Sequence, residues 1–578
     1  MFQVKNSARW WFLVHSWLAL PVWVFLFFVC LTGSIATVSQ EIIWLGKPEV
    51  RANPPSGDAR MLSYGEIVAA IVRENPDAVV RSISRPVKSI FAWTVDTSYP
   101  DMRRVTQYVN PYTGHIQGSE PHGLTFKQFI YALHGWLLIP FGGRYNLGAI
   151  GYYMVSLLSL PLLGLVISGL VVYKRFWRGY LHPKLRFDRG FRVFLGDLHR
   201  IVGIWSAPFI LIMAVTALWF LLEMALHDVG LELPSTGSEV PVLVQREDIP
   251  VVASGRAPPR IGFDQAAAIM REYFPGVEPM VLRMGENAFA PITVIGQSAS
   301  WPLLNESAQI NPYTGLVEVA HRVTDRSSLE LVTQSMRPLH TGDFVGLGLK
   351  VTYFFFGLLL TTMVGSGLLI WTKRTVNATR QVVRGAALER EDIIGAPLPE
   401  ALAPPGSNKG ASPRRWWWRW RFHLSAVVLI VPLTIAPFYL IGPQRVDANP
   451  GLGQRTVETL QVGPWTATLG EWKTTSPIIR DGEFKKEFAL SLCTSCMQEV
   501  KAAYLRVGKP RGDIRTSGGL FSGSPFRQFI AVHIPHDVRP DAQFWLTLEG
   551  WDGSVHRAPI PLAEASPATF QWAKGRTQ

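Results

Sequence analysis

Cysteine is scarce in this chain: three in 578 residues, with Cys30 inside an apolar run and Cys493 and Cys496 as a pair. That is too few for a disulfide framework. Charge is scarce too, 17% of residues, against about 25% in an ordinary soluble domain. With 48% hydrophobic residues, the balance implies that much of the chain sits in lipid. No Gly-x-Gly-x-x-Gly follows a strand pattern, so no flavin or nicotinamide fingerprint is present. The net charge of +13 is not spread as a basic stripe with interleaved aromatics. Lys and Arg gather beside the apolar runs, which points to membrane topology and away from nucleic acid.

Five apolar stretches are long enough to cross a hydrocarbon core, which needs about 20 helical residues: 11–38, 148–173, 199–222, 348–371 and 422–441. The run from Leu18 to Val38 is too long for a signal-peptide core and reads as an uncleaved span. The segments between spans two and three and between spans four and five are rich in Arg and Lys. The positive-inside rule puts both in the cytoplasm, with the N-terminus. Trp10, Trp11, Trp371, Trp416, Trp417, Trp418 and Trp420 mark the span ends.

The expected order begins with a first transmembrane helix in 1–38 and a first outside α+β domain in 39–125. A second helix with its lead-in (126–175), a basic cytoplasmic loop (176–198) and a third helix (199–222) come next. A second outside domain (223–338), a fourth helix with its lead-in (339–374) and a cytoplasmic linker (375–415) follow. A fifth helix (416–442) and an outside, mainly-β C-terminal domain (443–578) end the chain. The linker's Pro/Gly/Ser-rich run is a flexible connector.

The two outside loops share a phrase, Asn-Pro-Tyr-Thr-Gly at 110–114 and again at 311–315. Between apolar pairs this is a strand–turn–strand signal. Helix patterns precede it at 63–72 and 263–270, so each loop is expected to place a helix on a few antiparallel strands. The repeat extends outward. Leu-His occurs at 133–134 and 339–340, Ser-Gly-Leu at 168–170 and 366–368, and a histidine before each unit at 15 and 199. A period near 200 residues with matching punctuation is a duplication.

Four histidines fall in this register. His15 and His199 begin spans one and three on the cytoplasmic side; His134 and His340 precede spans two and four outside. One pair per membrane face, with one member from each half, is the arrangement that holds a haem through two axial imidazoles. Against it stands the ordinary role of a helix-end histidine as an interfacial polar residue, and a non-haem metal using Asp197 or Asp343. Gly135, Gly142, Gly143, Gly203, Gly342, Gly346 and Gly348 fit a flat macrocycle or close helix packing equally. His182 reads as solvated, His115 and His122 have no partner at ligand spacing, and His423 opens span five outside the repeat.

These elements together resemble the PepSY-associated transmembrane family, over about residues 8–375. That family includes iron-regulated membrane proteins and ferric-siderophore reductases. The resemblance implies a four-helix core, two periplasmic PepSY domains, b-type haem and electron transfer to ferric substrates. By position, His15 and His199 would hold an inner haem and His134 and His340 an outer one. The fold class expected is therefore a bacterial inner-membrane bundle of five transmembrane helices, a duplicated four plus one, with two α+β PepSY domains and a β-rich tail outside. A quinol or a redox protein would be the electron donor, and a ferric siderophore or a disulfide the acceptor. The runner-up is a non-enzymatic, membrane-anchored PepSY binding module.

The tail alternates apolar and polar residues in short runs, the pattern of a small β-sandwich. Within it Cys493 and Cys496 admit three readings: a closed disulfide, a redox dithiol, or a metal site completed by His533 and His536.

Overall fold

The computed structural model describes residues 7–122, 125–139, 147–173, 176–231, 233–234, 243–298, 301–367, 424–441, 451–480, 482–512 and 514–577. The chain divides into a helical unit and a β-rich unit.

In the helical unit the first apolar stretch is two helices, Ser7–Ala19 and Trp23–Thr37, bent by 67° at their junction. Pro21 stands in the break, where its missing N–H and its ring interrupt the ladder. The second stretch is continuous over Gly148–Val172. The third differs from the expected 199–222. An amphipathic helix, Phe191–Trp205, carries His199, and the apolar span is the next helix, Ala207–Asp228, with Pro208 in its first turn. The fourth runs Leu347–Gly367. Of the fifth, the described part is a 3-10 helix, Leu424–Leu429, running into the 12-residue α-helix Ile430–Ile441, and its start, with His423, lies outside the described residues, as does the linker. Among the described residues three helices are long and apolar enough to cross a membrane, or four if the bent pair is one span. Leu162, Ile210, Ala214 and Leu360 knit three of them together. Leu160, Ile167, Leu211, Val215 and Phe355 stay exposed on their outer faces, as expected of helices that are apolar all round.

The β-rich unit contains both repeats. The first supplies β1 (Val79–Ser84), β2 (Trp93–Ser98), β3 (Arg104–Val109) and β4 (Ile116–Pro121); the second supplies β5 (Val277–Arg283), β6 (Ile292–Ser298), β7 (Asn305–Ile310) and β8 (Val317–His321). The expected helices are present as Tyr64–Glu74 and Phe263–Tyr273, the first opened by a Ser63–Glu66 capping box. At both shared turns the asparagine side chain accepts from the backbone N–H two residues on (Tyr112, Tyr313). Gly114 and Gly315 supply the positive φ, 73° and 77°.

The repeats are not two separate sheets. They form one, in the order β4-β3-β2-β1-β5-β6-β7-β8, joined where Ile83 pairs with Leu282. Both helices share one core with it, including Ile67, Ile71, Ala267 and Met270. Each repeat alone would leave β1 or β5 as an open edge, and pairing the two edges removes that liability. The boundaries move as well: the Ala207–Asp228 helix intrudes on 223–338, and the Ser328–Thr341 helix begins inside it.

The tail is the expected two-sheet domain. Its first sheet holds β9 (Arg455–Val462), β10 (Trp465–Glu471), β11 (Ile478–Arg480), β12 (Glu483–Leu492), β15 (Ser522–Ser524) and β16 (Arg527–His533). Its second holds β13 (Val500–Val507), β14 (Gly519–Leu520), β17 (Gln543–Gly550) and β18 (Val555–Pro561). Phe488, Phe521 and Phe544 fill the space between them. The tail packs on the second repeat through Phe289, Tyr504 and Trp551, where Arg246 donates to Glu549 at 2.5 Å and to the Tyr504 hydroxyl at 2.9 Å.

Candidate functional site

The four repeat histidines meet in two pairs within the helical unit. The ring centroids of His15 and His199 lie 6.4 Å apart with planes at 87°; those of His134 and His340 lie 6.2 Å apart at 36°. Two imidazoles on one metal, each bonded at about 2 Å through a nitrogen about 1.1 Å from its ring centre, place their centroids roughly 6.3 Å apart. Both pairs have that spacing.

The hydrogen bonds fix which nitrogen is available. Nδ1 of His15 is 3.0 Å from the Ser168 hydroxyl, whose single proton goes to Gly164 O at 2.6 Å. The hydroxyl therefore accepts, and Nδ1 carries the hydrogen. His199 repeats this in the second half, with Nδ1 3.1 Å from Met363 O and 3.3 Å from the Ser366 hydroxyl, itself donating to Met363 O. Nδ1 of His134 is 3.0 Å from Val29 O and 3.3 Å from the Thr32 hydroxyl. Nδ1 of His340 is 2.8 Å from the Thr216 hydroxyl, which donates to Ile212 O. In every case Nδ1–H is committed to the helix backbone or to a hydroxyl on it. That leaves Nε2 with its lone pair, the tautomer a metal requires.

These partners obey the duplication: Ser168 answers Ser366, and Thr32 answers Thr216. The sequence displays the Ser-Gly pairs as repeat punctuation without showing their role. The threonines carry no visible signal, because a hydroxyl in an apolar helix ordinarily bonds only its own i−4 carbonyl.

The glycines that matter also differ from those expected. A Cβ at Gly33 would stand 2.7 Å from Cε1 of His134; at Gly169 and Gly367 it would stand 3.4 and 3.3 Å from Cε1 of His15 and His199. Gly135 and Gly348 have open space, and Gly203 faces the Met363 sulfur; Gly142 and Gly143 lie outside the described residues.

A cavity of about 670 Å³ opens beside the His15–His199 pair, walled by apolar side chains such as Leu26, Leu165 and Met363, with Arg186 and Arg200 also lining it. Asp197 is buried and bound by both arginines: Arg186 donates from its backbone N, Nε and Nη2, and Arg200 from Nη2. Hydrogen bonds from Arg186 hold its carboxyl down at about 2. Asp343 is paired with Lys350 at 3.0 Å. Both carboxylates named as rival ligands are thus committed to cations, and no group of three or more His, Cys, Asp and Glu gathers among the described residues. The donor sets are two facing imidazoles, which suit a flat macrocycle that supplies its own four equatorial nitrogens.

His182 is exposed, as expected. His122 does have a partner, Asp96, at 3.0 Å. In the tail Cys493 and Cys496 are joined in a disulfide. The metal reading with His533 and His536 fails on register. His533 pairs with Lys485 at one end of β12, and Cys493 follows Leu492 at the other. Eight residues of strand separate them, roughly 26 Å.

Comparison with known proteins shows several similarities. The sequence profile of the PepSY-associated TM region matches residues 12–374. A second profile, described as an uncharacterised conserved protein, matches residues 416–563. An uncharacterised protein of Pseudomonas aeruginosa is 25% identical over 269 residues, 44% of this chain; the match spans 64% of that relative's length.

Proposed function

The chain belongs to the PepSY-associated transmembrane family, and on that premise we propose that it is a membrane electron-transfer protein with two bis-histidine haem b sites. The observation that carries this reading is the pair of facing imidazoles, four rings held by Nδ1 with Nε2 turned free, at the spacing of two axial ligands. Bound haem supplies one-electron transfer. The chain's own residues do the rest. Ser168, Ser366, Thr32 and Thr216 fix the imidazole tautomers and raise their basicity. The apolar wall of the His15–His199 cavity would keep water from a metal held there. Arg186 and Arg200, anchored by Asp197, bring positive charge to that cavity, which suits the anionic carboxylates of a haem.

The basic loop at 176–198 supports an inner-membrane orientation with the N-terminus in the cytoplasm and the repeat sheet and tail in the periplasm. His15–His199 is then the inner site, His134–His340 the outer one. With haem held by each pair, the two sites would offer an electron from quinol or a redox protein a path between the membrane faces. A ferric chelate such as a siderophore complex, which takes one electron to become ferrous, would be the acceptor on the outer side. The tail disulfide is the second acceptor to test, taking two electrons and two protons to give two thiols.

The test is spectroscopic. Full-length protein purified in mild detergent should show sharp b-type bands on dithionite reduction and two haems per chain. A colourless protein, expressed with haem in supply, removes this reading and leaves a binding module. A finer test is Thr216→Val, which keeps the shape and removes the acceptor of His340. Its outer haem should be lost to a haem-accepting apoprotein at about 10–100-fold lower stability, while the inner haem is retained. Equal retention at both sites would show that the hydroxyl is incidental.

A further inference from the structure

The eight-stranded sheet has one face covered by the two helices and a second face that the haem reading does not use. On β1 the ladder steps over Arg81: Val80 pairs with Thr97 and Ser82 with Asp96. Arg81 is the extra residue of a bulge, a device that re-aims a side chain. The second repeat keeps the bulge, between Pro279 and Val281, with Met280 as the extra residue. A guanidinium therefore stands in the first copy where the second has a thioether. Ile83, Val95 and Val109 point to the helices. By the alternation of strands, Ser82, Asp96 and Arg104 point the other way, and Arg104 lies opposite Ser98 on β3.

The tail reaches this region through the β15–β16 hairpin. Gly523 N donates to Glu286 O at 3.0 Å, and Asn287 Nδ2 donates to the Ser522 hydroxyl at 2.8 Å. The hairpin brings in Arg527, which is only 7% exposed. Its Nη1 donates to Gly451 O at 2.9 Å and its guanidinium lies 5.3 Å from the Phe529 ring centre. The Arg81 side chain is 11% exposed, and its nearest acid, Glu286, is 3.5 Å away and 60% exposed. Among the described residues no carboxylate pairs with Arg104 or Arg527. Asp96 is occupied by Ser82, Thr106 and His122.

Arg104 repels both Arg81 and Arg527. Burial lowers the Arg81 pKa; Glu286 opposes this, and Arg104 and Arg260 add to it. Burial lowers that of Arg527 as well, and Arg104 adds to it. Arginine stays protonated regardless, so the repulsion is a charge excess: Arg81, Arg104 and Arg527, with Arg260 adding to it, against one half-solvated carboxylate, Glu286. Buried charge without a partner is costly, and the planar fork of arginine matches two anionic oxygens at once.

We propose that Arg81, Arg104 and Arg527 form a binding site for a small anion with at least two anionic oxygens, a polycarboxylate or a phosphate. The site is made jointly by the first repeat and the tail, and it is absent from the second repeat because Met280 replaces the arginine. It does not depend on the haem reading.

The test is titration calorimetry on the full-length protein in detergent at low salt, with citrate in one arm and inorganic phosphate in the other. Saturable one-to-one binding of either anion supports the site, and the tighter arm names its chemistry. Arg81→Met, which installs what the second repeat already carries at this bulge, and Arg104→Gln should each weaken binding at least tenfold. Raised salt should weaken it too. Arg480→Gln, a change at a side chain 61% exposed on β11, should leave it unaltered. Thermal unfolding like that of the parent certifies the variants as folded. Three results overturn the proposal: no saturable binding of either anion at millimolar concentration, folded Arg81→Met and Arg104→Gln proteins that bind as the parent does, or an equal loss in Arg480→Gln.

Discussion

Replacing His340 by alanine should leave one haem per chain, and replacing His15 should leave the other one. Each site rests on two imidazoles with no third protein donor nearby among the described residues. If these pairs hold haem as proposed, removing one imidazole would take away half of the axial ligation, and for His340 it opens a gap beside Phe220, whose ring stands 5.2 Å from that of His340. His134→Ala should reproduce His340→Ala, and His199→Ala should reproduce His15→Ala, since each pair works as a unit. The pyridine haemochrome assay reads the stoichiometry: two in the parent, one in each single variant, none in His15→Ala/His340→Ala.

The two survivors should also be distinguishable. The rings of His15 and His199 are nearly perpendicular, at 87°, while those of His134 and His340 are 36° apart. Crossed axial planes leave the ferric iron's two π-type d orbitals nearly degenerate, and closer planes split them. Low-spin electron paramagnetic resonance should accordingly show a single, strongly anisotropic feature in His340→Ala and a rhombic spectrum in His15→Ala. Two haems retained in every single variant would sink the ligand assignment. Identical spectra from the two survivors would spare the ligands but reject the ring geometry.

What the sequence makes legible is local. Asn-Pro-Tyr-Thr-Gly declares its turn because proline and glycine restrict their own backbone, and the 63–72 and 263–270 patterns declare helices through their period. The histidine register is also visible in one dimension. The breaks at Pro21 and before Pro208 have their signal in the prolines, yet hydropathy outweighs it: the apolar pattern runs unbroken through 11–38 and extends eight residues ahead of Ala207. The hydroxyls of Ser168, Thr32, Thr216 and Ser366 were out of reach, because their partners lie more than 100 residues away. The pairing of β1 with β5 was out of reach for the same reason. Strand alternation tells which residues share a face, but it does not tell which edge meets which.

That pairing carries the second large effect, expected for Ile83→Asp. Ile83 is fully buried, opposite Val95 on β2 and Leu282 on β5, in a core shared by both helices. An ionised carboxylate there has no partner and must desolvate, be protonated or expel itself. Any of these costs several kcal/mol against a total domain stability of about 5–15 kcal/mol. Because the sheet is continuous through this residue, the damage should not stop at the first repeat. Hydrogen exchange should show β1–β4 and β5–β8 losing protection together, with the Tyr64–Glu74 and Phe263–Tyr273 helices, while Val87→Asp at an exposed loop position leaves exchange unchanged. If β5–β8 kept their protection in Ile83→Asp, the repeats would be two domains that touch. The joint loss would mean that the duplicated halves fold as one body, so that neither copy can be removed or exchanged without the other.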